Sequence, residues 1–224
     1  MGFISKAKYM RFDAFSEIIG SINSHELPGK EAQLQMAPPF RDVLLKQTSH
    51  LIDNAKLAAV LALFYPGKNN NTYLAFILRK PSPDVHSGQI GFPGGKPEAE
   101  DFNLQQTALR ETMEEIGVQS EAIQIITGLS EVYIPPSNFN VFPFIGLTAE
   151  TPDFKPQISE VESVIEVSLK AVMNAKHQII TTVKTSYGLS VSVPAFNFNG
   201  HIVWGATAMI LMEIIYLFNL ILKK

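Results

Sequence analysis

Cysteine is absent from the 224 residues. Disulfides, thiolate metal sites and a cysteine nucleophile are thereby excluded. Basic runs are lacking too. Lys and Arg number 18 against 21 Asp and Glu, a net charge of −3, so no surface built to neutralise a phosphate backbone is expected and nucleic acid is not an expected partner. Charged residues make up only 17% and hydrophobic residues 46%, which rules out a disordered composition and leaves enough apolar surface for a sizeable core. There is no internal repeat and no low-complexity tract. The opening MGFISKAKYM lacks the apolar stretch of a signal peptide, and Lys6 occupies the Ser/Thr slot of a myristoylation motif, so a cytoplasmic enzyme without a lipid anchor is expected.

The length suits one domain over 1–224, with an N-terminal helix and wrapping linker in 1–42 and the core in 55–222. Phe12, Phe15, Ile18, Ile19 and Ile22 recur at helical spacing, predicting an amphipathic helix ending near Asn23. Pro28, Gly29, Pro38 and Pro39 punctuate residues 24–41, read as an extended linker. Lys56–Tyr65 and Thr72–Arg79 are apolar runs of strand length around the turn-rich PGKNNN, which predicts a hairpin. Further strands are expected at Ile123–Leu129, Phe139–Leu147 and Val161–Val167, with a rigid substrate-side loop at Tyr133–Asn138 and a second hairpin about Tyr187-Gly188. The run ATAMILMEIIYLFNLIL, within Trp204–Leu222, is apolar nearly all round. It is at the short end of spanning length and carries Glu213 and Asn219, so a buried or dimer-facing helix, with a homodimer as one outcome, is expected rather than a membrane span.

The most informative stretch is Gly94–Val118, GGKPEAEDFNLQQTALRETMEEIGV. A helix is expected from about Asn103 to Ile116, stopped by Gly117. Residues advance about 100° each, so Glu111, Glu114 and Glu115 share an arc of about 100°, while Leu109, Met113 and Ile116 form the opposite, core-facing stripe. Like charges on one helix face repel. Arg110 offsets part of that charge, and a hard divalent cation would offset the rest, because Mg²⁺ and Mn²⁺ select oxygen ligands. A solvated acidic face is the alternative that the helix alone leaves open.

Gly95 followed by Arg110-Glu111-Thr112-Met113-Glu114-Glu115-Ile116-Gly117-Val118 resembles the signature of the Nudix hydrolases: a glycine, an acidic residue, then R-E-x-x-E-E-x-G-apolar. Asp101 stands where that family usually has Glu, and Thr112 takes an apolar slot. The gap before Arg110 is one residue longer than the common pattern, as in the coenzyme A diphosphatase branch. Gly88–Gly95 also fits that branch's G-x-x-x-F-P-G-G, and Arg79 matches its first arginine, whereas Lys80 and Asp84 replace its usual serine and second arginine.

The resemblance implies an α/β fold, an α/β/α sandwich around a mixed sheet, here with an added N-terminal helix and a long apolar C-terminal helix. It implies hydrolysis of the diphosphate of coenzyme A or an acyl derivative, a small nucleotide substrate, to 3′,5′-ADP and (acyl-)phosphopantetheine. It also implies Mg²⁺ or Mn²⁺ held by the Gly95 carbonyl, Glu111, Glu114 and Glu115. Arg110 would orient a glutamate. The general base would be a glutamate of the motif helix or one from a later loop; Glu160 is preferred over Glu162. Arg79, His86, Ser87 and Phe92 would face substrate. Two other readings stay open: the same chemistry on ADP-ribose or a dinucleotide, which the loss of a cation at Asp84 motivates, and a non-catalytic binding module of the same fold.

Overall fold

The computed structural model describes residues 11–81, 88–184 and 190–222. Asp84, His86, Ser87 and the expected turn at Tyr187-Gly188 lie outside the described residues. Strand β1 (Lys56–Pro66) organises the sheet. Its residues are apolar on both faces because both faces are covered. Ala59, Leu61, Leu63 and Tyr65 point to one core cluster, and Ala58, Ala62 and Phe64 to the other. The expected hairpin forms: β2 (Thr72–Arg79) runs antiparallel to β1, with Phe64 opposite Leu74. Two short segments, β3 (Ile90–Gly91) and β4 (Gly94–Gly95), add to β2 and β1.

Helix α1 (Phe12–Ile19) matches its apolar spacing and continues as a 3₁₀ turn through Ser24. The segment after it is not an extended linker. It folds as α2 (Gly29–Gln33), then a 3₁₀ turn at Leu34–Met36, burying Ala32, Gln33 and Met36. Pro28 sits at the helix start, where its fixed φ and missing N–H cost nothing. Helix α3 (Arg41–Thr48) follows on the surface. Beyond the glycine pair, α4 (Leu104–Ile116) covers the Ala59 face of β1. Strands β5 (Ile123–Gly128), β6 (Val132–Ile134) and β7 (Phe139–Thr148) follow. Part of the expected loop, Tyr133 and Ile134, is therefore strand. β7 lies parallel to β1 and antiparallel to β5 and β6, which makes the sheet mixed. β8 (Val161–Ser168) pairs with β2. After α5 (Leu169–Val172), a second antiparallel sheet contains β9 (Gln178–Lys184), β10 (Ser190–Phe198) and β11 (His201–Trp204); β11 has no counterpart in the sequence reading.

Helix α6 (Gly205–Ile221) fills the opposite face of the main sheet. Phe218 packs on Phe15 and Phe64 with ring centroids 5.4 Å apart in each pair. The helix is apolar nearly all round because its own chain surrounds it, which explains the run that suggested a membrane span. No helix of the described residues is long and apolar enough to cross a membrane. Of the two readings of this run, a buried helix agrees with the burial of Ala208–Ile215, Leu217, Phe218 and Ile221 within the single chain.

Glu213 is fully buried in this apolar helix. A buried carboxylate is costly unless hydrogen-bonded. Gln33 Nε2 donates to its Oε2 at 2.7 Å, and the Ser130 N–H donates to its Oε1 at 3.2 Å. The carboxylate thus ties α2 and the connection between β5 and β6 to α6. Replacing Gln33 by Ala is expected to lower the free energy of urea unfolding by about 1–3 kcal/mol. Replacing both Gln33 and Glu213 by Leu should recover part of that loss, because no buried carboxylate is then left short of donors.

Candidate active site

The glycine pair and α4 meet at one point. Asn103 caps the helix, its side chain accepting from the Gln106 N–H at 2.9 Å. Gly117 ends it at φ 76°, a left-handed conformation that favours glycine. Gly94 also has positive φ, at 148°, and a Cβ there would lie 2.2 Å from the Ala59 carbonyl. With no side chain, the Gly94 N–H reaches the buried Glu115 and donates to Oε2 at 2.7 Å. The other oxygen, Oε1, pairs with Arg79 Nη2 at 3.1 Å, and the same Nη2 donates to the Gly94 carbonyl at 2.8 Å. A register shift between Leu78 and Arg79 lies where β2 presents this side chain. At Gly95 a Cβ would fall 2.4 Å from the Glu111 carboxylate. Strand and helix are in direct contact there only because both residues are glycine.

Arg110 is the second organiser. Nε donates to Asp101 Oδ1 at 3.1 Å and Nη2 to Asp101 Oδ2 at 3.0 Å. Nη2 also reaches the Lys96 carbonyl at 2.8 Å. Nη1 faces Glu111 at 3.2 Å and Glu114 at 3.1 Å. Arg110 therefore contacts both glutamates, where the resemblance implied one, and also locks the segment that follows the glycine pair onto α4. Asp101 completes this lock by accepting from the Thr107 hydroxyl and the Glu98 N–H, both at 2.9 Å.

The acidic face is graded rather than uniform. Glu115 is 2% exposed, and the side chains of Glu111 and Glu114 are 16% and 51% exposed. Thr112 is buried among them, its hydroxyl donating to the Ala108 carbonyl at 2.6 Å. The apolar stripe is shifted from expectation: Ala108, Thr112 and Ile116 face inward, while Met113 is 37% exposed. Burial pushes the Glu115 carboxyl up to about 7, against the opposing pull of Arg79 and the Gly94 N–H. Burial also raises Glu111, with Arg110 opposing. Glu160 adds negative potential at both. By contrast, the Arg110 guanidinium holds Asp101 down to about 2.

These carboxylates are short of positive charge, and their donors, with the Gly95 carbonyl, are all oxygen. That is the set a hard divalent cation takes, so the residues fit such an ion in chemistry. Among the described residues, no three acidic or histidine side chains are gathered around one point as they stand; Arg110 faces Glu111 and Glu114, and Arg79 faces Glu115.

Of the other expected site residues, Glu160 is exposed at the entry to β8. Its carbonyl accepts from Lys80 N–H at 2.8 Å, and the nearby Gln157 N–H donates to the Glu115 carbonyl at 2.9 Å, so this loop lies against the end of α4. Phe92, expected at the substrate, is turned into the core. It is buried and stacks on Phe76 with centroids 4.9 Å apart. His86 and Ser87 lie outside the described residues. A cavity of about 480 Å³ opens between β8 and the second sheet, lined by Glu166, His177 and His201 among others, and contains none of the motif carboxylates. The sequence reading missed the pairing of Arg79 with Glu115, which depends on β2 and α4 meeting. It also missed the position of Lys96, whose proximity to the glycine pair was the available signal.

Asp101 gives a pH prediction. Its folded value lies below the unfolded one, so its contribution to stability is present above about pH 4 and is lost as pH falls towards 2. Asp101→Asn is expected to cost about 1–3 kcal/mol at pH 7 and to flatten the acid limb of the melting-temperature profile between pH 4 and 2. Melting curves of both proteins over that range check it.

The NUDIX domain family model matches residues 55–182. The mouse mitochondrial coenzyme A diphosphatase NUDT8 is 30% identical over 176 residues, covering 76% of this chain and 81% of that protein. Nudix hydrolase 15, mitochondrial, of Arabidopsis thaliana is 28% identical, covering 70% of this chain and 57% of that protein. Among solved structures, the Nudix hydrolase RenU of M. smegmatis superposes with a TM-score of 0.52 at 16% identity, covering 74% of this chain and 87% of that one. A MutT/nudix family protein from Enterococcus faecalis gives 0.51 at 18% identity, covering 100% and 76%. These two likenesses concern the fold. Taken with the glycine pair clamped on the Arg110–Glu115 helix, the family match over residues 55–182 shows that the chain belongs to the Nudix family of hydrolases.

Proposed function

We propose that this Nudix hydrolase cleaves the diphosphate bond of coenzyme A or an acyl-coenzyme A, releasing 3′,5′-ADP and (acyl-)phosphopantetheine. The observation that carries the chemistry is the oxygen cluster where Gly95 abuts Glu111 and Gly94 holds the buried Glu115. The substrate class is supported by the name of the mouse relative and by the Gly88–Gly95 segment.

A diphosphate is repelled by such a cluster unless its charge is offset. Mg²⁺ or Mn²⁺ held by the Gly95 carbonyl, Glu111, Glu114 and Glu115 would supply that offset and lower the pKa of an attacking water. The chain's own residues do the rest. Arg110 keeps Glu111 and Glu114 beside the glycine pair. Both oxygens of Glu115 are engaged by Arg79 and Gly94, which fixes its orientation. Each carboxylate oxygen keeps a further lone pair for a ligand. Glu160, exposed and close enough to act electrostatically on Glu111 and Glu115, takes the proton from the attacking water. That α1 and α6 share a core with β1 supports reading the N-terminal helix and the rest of the described chain as one domain.

The test is a turnover panel of coenzyme A, acetyl-coenzyme A and ADP-ribose with each metal. Coenzyme A or its acyl derivative should be cleaved fastest; much faster cleavage of ADP-ribose would defeat the substrate assignment. Glu111→Gln and Glu115→Gln should each lower kcat/KM by about 100-fold or more, and unchanged rates would defeat the metal assignment. Gly95→Ala should lower activity comparably with little change in melting temperature, because its Cβ meets the movable end of Glu111 rather than backbone.

A further inference from the structure

A second group of charges borders the glycine pair. Lys96 follows Gly95 directly, and its carbonyl is fixed by Arg110 Nη2 at 2.8 Å. Its ammonium stands 5.6 Å from the centroid of the Phe139 ring. The parallel register of β1 and β7 places Lys56 opposite Phe139, and the Lys56 ammonium is 5.9 Å from the same centroid. Alternation along β1 puts Lys56 on the face of Ala58 rather than Ala59, away from α4. Both lysines are exposed and Phe139 is half-buried. Among the described residues, neither lysine forms an ion pair with a carboxylate.

Two ammonium groups around one ring repel each other, and an anion between them relieves that repulsion. The Phe139 ring, with an ammonium group over it from each lysine, holds the two cations close together. The position matters as much as the charge. Lys96 is one residue, about 3.8 Å of backbone, from Gly95, whose carbonyl is expected to hold the metal. A group bound by the Lys96 ammonium lies within one lysine side chain's reach of the glycine pair.

We propose that Lys56, Lys96 and Phe139 form a subsite for the nucleoside half of the substrate, the two ammonium groups binding the ribose phosphate that is not cleaved. The subsite makes the enzyme selective for a nucleoside diphosphate carrying an additional phosphate on its ribose. This deepens the coenzyme A reading and rests on it for the substrate, while the residues and their charges stand independently of turnover.

Binding of the product half is the test, because calorimetry needs no catalysis. Wild-type protein should bind 3′,5′-ADP at least about tenfold more tightly than 5′-AMP. K56Q/K96Q should bind the two with equal affinity, each single variant should show an intermediate ratio, and the exposed control K170Q should retain the wild-type ratio. In steady-state assays the double variant should raise KM for coenzyme A about tenfold and leave KM for dephospho-coenzyme A within about twofold, with kcat little changed. Equal affinity of wild-type protein for 3′,5′-ADP and 5′-AMP, or an unchanged ratio in the double variant, would overturn the subsite. A wild-type protein that prefers 3′,5′-ADP yet does not cleave coenzyme A would instead overturn the proposed function and leave the subsite standing.

Discussion

The hydrogen bond from the Gly94 N–H to the buried carboxylate of Glu115 is the contact on which the rest of the site depends. It joins the main sheet to α4 at the last turn of the helix. It exists only because Gly94 has no side chain in a backbone conformation that would drive a Cβ into Ala59. With Glu115 fixed, Glu111 one turn earlier is brought against Gly95, and Glu114 is left on the solvent side. A carboxylate used as a structural anchor thus also sets where Glu111 meets Gly95.

Two arginines keep this concentration of negative charge in place. Arg79 crosses from β2 and contacts both partners of the Gly94–Glu115 bond. Arg110 spans Asp101, Lys96, Glu111 and Glu114. Their effects on the acids differ in a way that separates roles. Asp101, held by the guanidinium and two further donors, is driven well below the ordinary carboxylate range and behaves as a fixed structural anion. Glu111 and Glu115 are raised because burial outweighs their arginine partners. An acid that remains under-compensated after folding is suited to take a cation, whereas one already satisfied is not.

The sequence made local features legible. The hairpin of β1 and β2, helix α4 with its stop at Gly117, and α1 each follow from spacing and turn chemistry carried within a few residues. Features that depend on distant partners were not legible. Pro28 and Gly29 read as a linker because the helix they begin is stabilised by Glu213, 180 residues further on. Phe92 read as a substrate contact because its place in the motif says nothing of Phe76 beneath it. Met113 leaves its expected core-facing position because the packing of α4 on β1 shifts the buried stripe to Ala108, Thr112 and Ile116. The acidic face of α4 was legible from spacing alone, but its grading from buried Glu115 to exposed Glu114 emerges only when the helix is packed. The Lys56–Phe139 pairing likewise requires the parallel register of β1 with β7.

The central claim is that this oxygen-lined junction carries out a hydrolysis at phosphorus on a coenzyme A-type diphosphate. Product analysis by mass spectrometry, with coenzyme A and Mg²⁺ or Mn²⁺ in water enriched in oxygen-18, addresses it most directly. The account predicts equal amounts of 3′,5′-ADP and phosphopantetheine, one labelled oxygen per cleavage event, and no products once the metal is chelated. Intact coenzyme A under these conditions, products that appear equally in chelator, or cleavage at any bond other than the diphosphate would contradict it.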